Sequence, residues 1–267
     1  MLAPRRHEII LETIRREGSV RVRDLVEQLG ISDMTVRRDL DLLDESGLLV
    51  KVHGGATRVS MLATEEPGFD AKRTRQADQK TAIARAAAEL VQPGFAVGLT
   101  AGTTTWQLAN SLLSVANLTV ITNSPSVAQV FYRSGDHSVT AILTGGMRTP
   151  SDALVGPIAT AALSQLHLDV VFMGVHGMDP VHGYSTPNLA EAETNRAFVA
   201  SARRLVVVAD HTKWMTPGLA TITALADADV VVTGNQLDAD ARQHFDAAET
   251  ELLLVDARPA TLEAEQG

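Results

Sequence analysis

The chain has 267 residues, 45% of them apolar, no cysteine and a formal net charge of −9. That length accommodates one large domain or two ordinary ones, and the absence of cysteine excludes disulfides and thiolate zinc sites. No apolar run approaches the ~20 residues of a membrane span, and Met1-Leu2-Ala3-Pro4-Arg5-Arg6 lacks the apolar core and cleavage site of a secretory signal, so the expected location is the cytoplasm.

Residues 5–17 predict a first helix with Ile9, Ile10 and Ile14 as its buried stripe and Gly18 as its stop. A short extended piece follows at 19–22. Val22, Leu25, Val26 and Leu29 then fall at i, i+3, i+4 and i+7, the stripe of a short amphipathic helix, which Gly30 ends by taking the left-handed conformation. Ser32 or Asp33 can cap the next helix. On that helix Val36, Leu40 and Leu43 share one face, Met34 and Arg38 point the opposite way, and Thr35 and Arg37 flank them.

Helix, glycine turn and helix, with cations near the start of the second, is the layout of a helix-turn-helix, whose second helix enters the DNA major groove. Arginine suits that place because its planar guanidinium donates two parallel bonds to guanine or to a phosphate. An ordinary helical hairpin with solvated arginines is the alternative, since Arg37 and Asp41 can pair at i, i+4. The next residues favour DNA. Residues 48–52 read as a strand, His53-Gly54-Gly55 as a tight turn and 56–59 as the return, which together make a wing with Lys51, His53 and Arg58 placed for flanking phosphates. The expected DNA-contacting set is therefore Ser32, Asp33, Met34, Thr35, Arg37, Arg38, Lys51, His53 and Arg58.

Charge divides the chain in the same way. Residues 1–58 hold ten Lys+Arg and ten Asp+Glu, so the whole net charge of −9 lies beyond them. A neutral domain with arginines on one face still grips phosphate locally, while an acidic body limits non-specific contact with DNA. The expected domains are 1–58, a linker at 59–77 without consistent apolar period, a second domain at 78–257 and a polar, disordered tail at 258–267.

The second domain opens with a mixed-charge stretch containing Arg73, Arg75 and Lys80, then a helix with Ile83, Ala84, Ala87 and Leu90 that closes at Pro93-Gly94. Short Val- and Ile-rich runs at 95–99, 118–122, 139–144, 169–175, 205–209, 230–233 and 252–255 predict buried strands. Helix-like stretches lie between most of them, at 105–113, 125–133, 155–166 and 189–203. This alternation predicts an α/β fold with a mostly parallel sheet, and ligands of such sheets bind at the carboxyl ends of the strands. There Gly102, Thr103, Thr104 and Thr105 link a strand to a helix and offer free N–H groups and hydroxyls to an anion. The glycine spacing fits neither a dinucleotide fingerprint nor a Walker A loop. Asn123, Gly145-Gly146 with Arg148, and Asp210-His211-Thr212-Lys213 are expected on the same rim, with Lys213 as countercharge. No histidine spacing suggests a metal site, and no cofactor is expected.

Two blocks, Ile31-Ser32-Asp33-Met34-Thr35-Val36-Arg37-Arg38-Asp39-Leu40 and Val52-His53-Gly54-Gly55-Ala56, resemble the winged helix-turn-helix of the DeoR family of bacterial transcription regulators. The resemblance continues in order through Gly102-Thr103-Thr104, Thr122-Asn123-Ser124, Gly145-Gly146, Leu154-Val155-Gly156-Pro157, Gly174-Val175-His176-Gly177-Met178-Asp179, Thr186-Pro187-Asn188, Glu191-Ala192-Glu193 and Ala209-Asp210-His211-Thr212-Lys213, to about Ala257. It implies an effector domain with the ribose-5-phosphate isomerase fold that senses phosphorylated sugars, and a repressor of carbohydrate metabolism genes that binds an operator as a homo-oligomer. The implied effector site is Gly102, Thr103, Thr104, Thr105, Asn123, Arg148, Glu193 and Lys213. One departure is Thr100, where the family commonly has an aspartate able to hold sugar hydroxyls. The alternative is a sugar-phosphate isomerase with an appended DNA-binding domain. It needs an acid where the chain has His176, which leaves Glu191 and Glu193 as candidate bases, and no catalytic residue is assigned.

Overall fold

Two self-contained sets of contacts divide the computed structural model into units Met1–Leu62 and Ala63–Gly267. The structure describes residues 2–17, 19–52, 54–57, 68–135 and 137–257. His53, Arg58 and the tail expected at 258–267 lie outside the described residues.

The first unit contains α1 (Ala3–Glu17), β1 (Ser19–Arg21), α2 (Val22–Leu29), α3 (Asp33–Glu45), β2 (Val50–Val52) and β3 (Gly55–Thr57). Gly30 ends α2 at φ 65°, where a side chain would be strained. The Ser32 hydroxyl caps α3 by accepting from the N–H of Thr35 at 3.3 Å. The apolar stripes anticipated on all three helices meet in one core, with Ile10, Ile14, Val22, Leu25, Leu29, Val36, Leu40 and Leu43 buried together. The extended piece before α2 does more than connect: as β1 it joins the wing in an antiparallel sheet of order β1-β3-β2.

One polar group sits in this packing. Asp39 of α3 is 3% exposed and accepts from Arg6 of α1 through two bonds, Nε at 2.7 Å and Nη2 at 2.9 Å, with His7 Nε2 at 3.1 Å. Burial alone would raise the Asp39 pKa, but the bonds and charges of Arg6 and His7 outweigh it and hold the carboxyl below its ordinary value.

The second unit runs α4 (Phe69–Arg73), α5 (Ala77–Ala88), β4 (Ala96–Leu99), α6 (Thr103–Ser111), β5 (Thr119–Thr122), α7 (Pro125–Ser134), β6 (Thr140–Leu143), β7 (Met147–Arg148), β8 (Leu154–Val155), α8 (Pro157–Leu163), β9 (Val170–Met173), β10 (Gly177–Asp179), β11 (Gly183–Thr186), α9 (Leu189–Ser201), β12 (Leu205–Val208), β13 (Ala220–Thr223), β14 (Val230–Gly234), α10 (Ala239–Ala247) and β15 (Glu251–Val255). Seven strands form a parallel sheet of order β15-β14-β12-β9-β4-β5-β6, and each corresponds to one of the seven valine-rich runs. Both faces are covered. Val206 and Val208 of β12 enter one core with Ile83, Phe131 and Phe172, while Val207 enters the other with Phe198 and Phe245.

The 59–77 span expected as a linker includes a helix among its described residues. Phe69–Arg73 within it is helical, and Phe69 meets Trp106 of α6 edge to face at 6.4 Å, so apolar burial draws these residues onto the second unit. A small antiparallel sheet, β10-β11-β13, was not anticipated, nor was the β7–β8 pair. No helix among the described residues is long and apolar enough to cross a membrane.

Candidate DNA interface and effector site

The N-terminal half of α3 presents Met34, 80% exposed, together with exposed Arg37 and Arg38 on the side away from Val36 and Leu40. Among the described residues Arg38 has no ion-pair partner. Arg37 is engaged by Asp33 one turn earlier, Nε to Oδ1 at 2.5 Å, rather than by Asp41. Asp41 instead pairs with Lys51 of the wing, whose backbone N–H donates to Asp44 Oδ1 at 3.2 Å. Ser32 and Thr35 share a hydroxyl bond of 2.8 Å within the cap. The helix therefore offers Arg38 and Met34 without competition, while Arg37 and Lys51 are balanced by nearby carboxylates in water. Such exposed pairs are weak and exchangeable.

In the second unit the chain builds outward from β4 through β5 to β6, then returns to lay β9, β12, β14 and β15 on the other side of β4. The strand order thus reverses between β4 and β9, the place where ligands of such sheets bind at the carboxyl ends of the strands. The loops meet there closely, since a Cβ on Gly102 would lie 4.0 Å from the Gly174 Cα. Gly102 precedes the first turn of α6, whose leading N–H groups have no partner within the helix. Thr103, Thr104 and Thr105 are buried, and the Thr105 hydroxyl turns back to the Gly102 carbonyl at 2.9 Å. That hydroxyl serves the loop, leaving the N–H groups and the other threonines for a ligand.

A buried cation lies near Lys213, and the sequence reading did not assign it to the site. Lys80 of α5 is 4% exposed, and its Nζ donates to the carbonyls of Lys72 at 2.7 Å and Arg75 at 2.6 Å. Burial draws its pKa down to about 8, with Asp210 opposing and Lys213, Lys72 and Arg75 reinforcing the fall. Asp210, at the end of β12, feels burial most, which raises its pKa. Lys213, the Thr212 hydroxyl, Lys80 and His211 together outweigh that and hold it ionised. Gln79 fixes this corner, accepting from the His211 N–H at 3.2 Å and donating to Gln236 Oε1 at 2.5 Å. Lys72 Nζ bonds Ser151 at 3.0 Å, which links α4 to the loop between β7 and β8. Lys213 is half-buried.

Three expected contacts take other roles. Asn123 is 1% exposed, its Oδ1 accepting from the Ala101 N–H at 2.9 Å and its Nδ2 donating to the Leu154 carbonyl at 3.1 Å. It fastens the anion loop to β8 instead of presenting an amide to a ligand. Glu193 is exposed, whereas Glu191 accepts from Thr149 at 2.6 Å and Thr186 at 3.3 Å. Two residues along a helix turn the direction by about 200°, so Glu191 is the carboxylate facing the β7–β8 loop. Arg148 is exposed and held by buried Asp152 at 2.7 Å, with Ser126 also donating to that carboxylate. Thr100 is fully buried, and its hydroxyl accepts from the Gly174 N–H at 3.1 Å. The departure at this position thus joins the ends of β4 and β9.

Two family models match the chain: a DeoR-like helix-turn-helix domain over residues 6–61 and a DeoR C terminal sensor domain over residues 75–235. Among similar proteins, one of Escherichia coli O157:H7 named for transcriptional repression of the aga operon is 33% identical, covering 94% of this chain and 93% of its own length. The HTH-type transcriptional regulator GlpR of Haloferax volcanii is 33% identical over 93% and 96%, and the glycerol-3-phosphate regulon repressor of Escherichia coli K12 is 32% identical over 87% and 91%. The solved ribose 5-phosphate isomerase A of Methanocaldococcus jannaschii is similar over 52% of this chain and 55% of its own, at 16% identity and a TM-score of 0.39.

Proposed function

Because this chain belongs to the DeoR family of transcriptional regulators, we propose that it is a cytoplasmic repressor of carbohydrate metabolism genes, with an operator affinity set by a small phosphorylated sugar. It is a regulator and not an enzyme. The effector assignment is supported by two features at the carboxyl ends of the parallel strands: the helix start at Gly102–Thr105 after β4, and the desolvated Lys80 grouped with Lys213 and Asp210 after β12, two strands away. A phosphate there accepts from N–H groups and is balanced by ammonium groups already in place. The sugar hydroxyls face Glu191 and Thr149. Arg38 and Met34 read bases, and Lys51 sits nearer the phosphates. The protein acts as a homo-oligomer, because paired half-sites need paired readers.

Regulation is linkage between two ligands. An effector that prefers one arrangement of the units over the DNA-competent one changes operator affinity by that difference, typically ~1–3 kcal/mol. The test is to titrate a labelled fragment of the protein's own promoter region with sugars, each with and without its phosphate. Only phosphorylated forms are expected to change the affinity, and Lys213→Met is expected to weaken that response while leaving effector-free DNA binding intact. Equal responses to a sugar and its phosphate would sink the assignment.

A further inference from the structure

The chain is 21% charged, yet the 31 residues from 138 to 168 contain only two charged side chains, Arg148 and Asp152. Those two pair with each other at 2.7 Å. The stretch is not hidden: it supplies the edge strand β6 and the helix α8, and within it Ile142, Leu143, Met147 and Ile158 are exposed. Ala161 on α8, and Ser164 and Gln165 just after it, are exposed and uncharged as well. Ile142, Met147 and Ile158 lie on one side: Ile142 pairs with Ile121, which enters the core beneath α8, the Ile158 Cγ2 lies 3.3 Å from the point where a Cβ on Gly145 would stand, and the Met147 Cε 3.6 Å from that of Gly156. At the opposite edge, β15 begins at exposed Glu251, which pairs with Arg204 at 3.7 Å, and is followed by Asp256. That edge is guarded by charge, as free edges usually are, and the β6 edge is not.

We propose that the surface formed by β6 and α8 is the interface between two copies of this chain. The proposal rests on the reading above that paired copies bind paired half-sites, and it adds where they join. A two-fold contact sets each patch against its own equivalent, so any net charge on it meets the same charge. Residues 59–267 carry the entire net charge of −9, and association between such bodies is tolerated where charge is missing. A lipid surface is a poorer occupant, because helices that lie on membranes carry lysine and arginine beside their apolar face, and α8 has neither. The contact is one of side chains: the Tyr132 hydroxyl donates to the Ala141 carbonyl at 3.2 Å, so part of the outer backbone of β6 is already taken.

Sedimentation velocity on the full chain tests this with the double variant Met147→Glu/Ile158→Glu. Both side chains are about two-thirds exposed, so the fold is expected to persist by circular dichroism. The wild type is expected to sediment as a dimer or a multiple of one, and the variant to show a dissociation constant raised about 100-fold. A monomeric wild type, or a variant of unchanged mass, overturns the proposal. If the variant does not fold, nitroxide labels on Ala161→Cys and on Gln243→Cys, in a chain otherwise free of cysteine, replace it. The Ala161 labels are expected to lie closer to each other across the dimer than the Gln243 labels, and the reverse order overturns the proposal. A dimeric wild type that does not bind its promoter region would sink the regulatory reading and leave the interface standing.

Discussion

On the recognition helix and the wing two cations lie at the surface beside exposed carboxylates, Arg37 with Asp33 and Lys51 with Asp41. In the second unit Lys80 is removed from water, and its pKa is lowered by that removal. Under the proposed function, the difference follows from what each region holds. A DNA backbone brings many phosphates and sheds counterions, so weakly paired, mobile cations serve, and the pairs are readily exchanged. A small ligand brings one phosphate, so the site must have its cation desolvated and in position beforehand.

Replacing the buried cation with an apolar stem should break this contrast most severely. Lys80→Met is expected to lower the affinity for a phosphorylated sugar by about 2–5 kcal/mol in calorimetry. The ligand-free protein should also lose some thermal stability, because the Lys72 and Arg75 carbonyls lose their donor and Asp210 a neighbouring positive charge. The same residue sets a pH dependence. Its folded pKa of about 8 lies below its ordinary 10.5, so the free protein gains stability as pH rises from 8 towards 10.5. A bound phosphate favours the charged form, so effector affinity should decline as pH rises through 8, and Lys80→Met should lose that decline. Unchanged affinity in the variant would place the anion elsewhere.

At the DNA surface the expected effects are smaller. Arg38→Ala should cost about 1–3 kcal/mol on the cognate site and little on random duplex, whereas Lys51→Ala should weaken both alike and reduce the salt slope by about 1. Filter binding at several salt concentrations distinguishes them, and equal losses from Arg38→Ala on both duplexes would remove it from base reading. Asp33→Asn should give the smallest change: with Arg37 released, binding to every sequence tightens by less than about tenfold, more at low salt. Weaker binding would mean that Asp33 serves the DNA contact directly.

Elements with strong periodicity were legible in the sequence. The seven strands of the parallel sheet are short valine-rich runs buried on both faces, and the recognition helix announces itself through Gly30, Ser32 and the Val36-Leu40-Leu43 face. The small sheet was not legible, because Gly177–Asp179 and Gly183–Thr186 show neither alternation nor an apolar run. At the site, the anion loop stood out through its residue types, but the direction of individual side chains did not. Lys80 looks like one more charge in a mixed-charge stretch until α4 and the end of β12 close over it. Asn123 and Glu193 sit in the right loops for a ligand, yet Asn123 is spent on Ala101 and Leu154, and one turn geometry favours Glu191 over its neighbour two residues on. Sequence order gives the rim, and packing decides which of its members look inward.

Asp39 follows Arg38 directly and is gripped by two donors on α1. Rotating α3 about its axis by one residue, about 100°, would swing the carboxylate away from Arg6 and His7 together. The ion pair therefore works as a detent on the roll of the recognition helix, setting the bearing of the neighbouring guanidinium. Under the proposed function, changes at Arg6 or His7 are therefore expected to shift operator preference while leaving Met34 and Arg38 as they are.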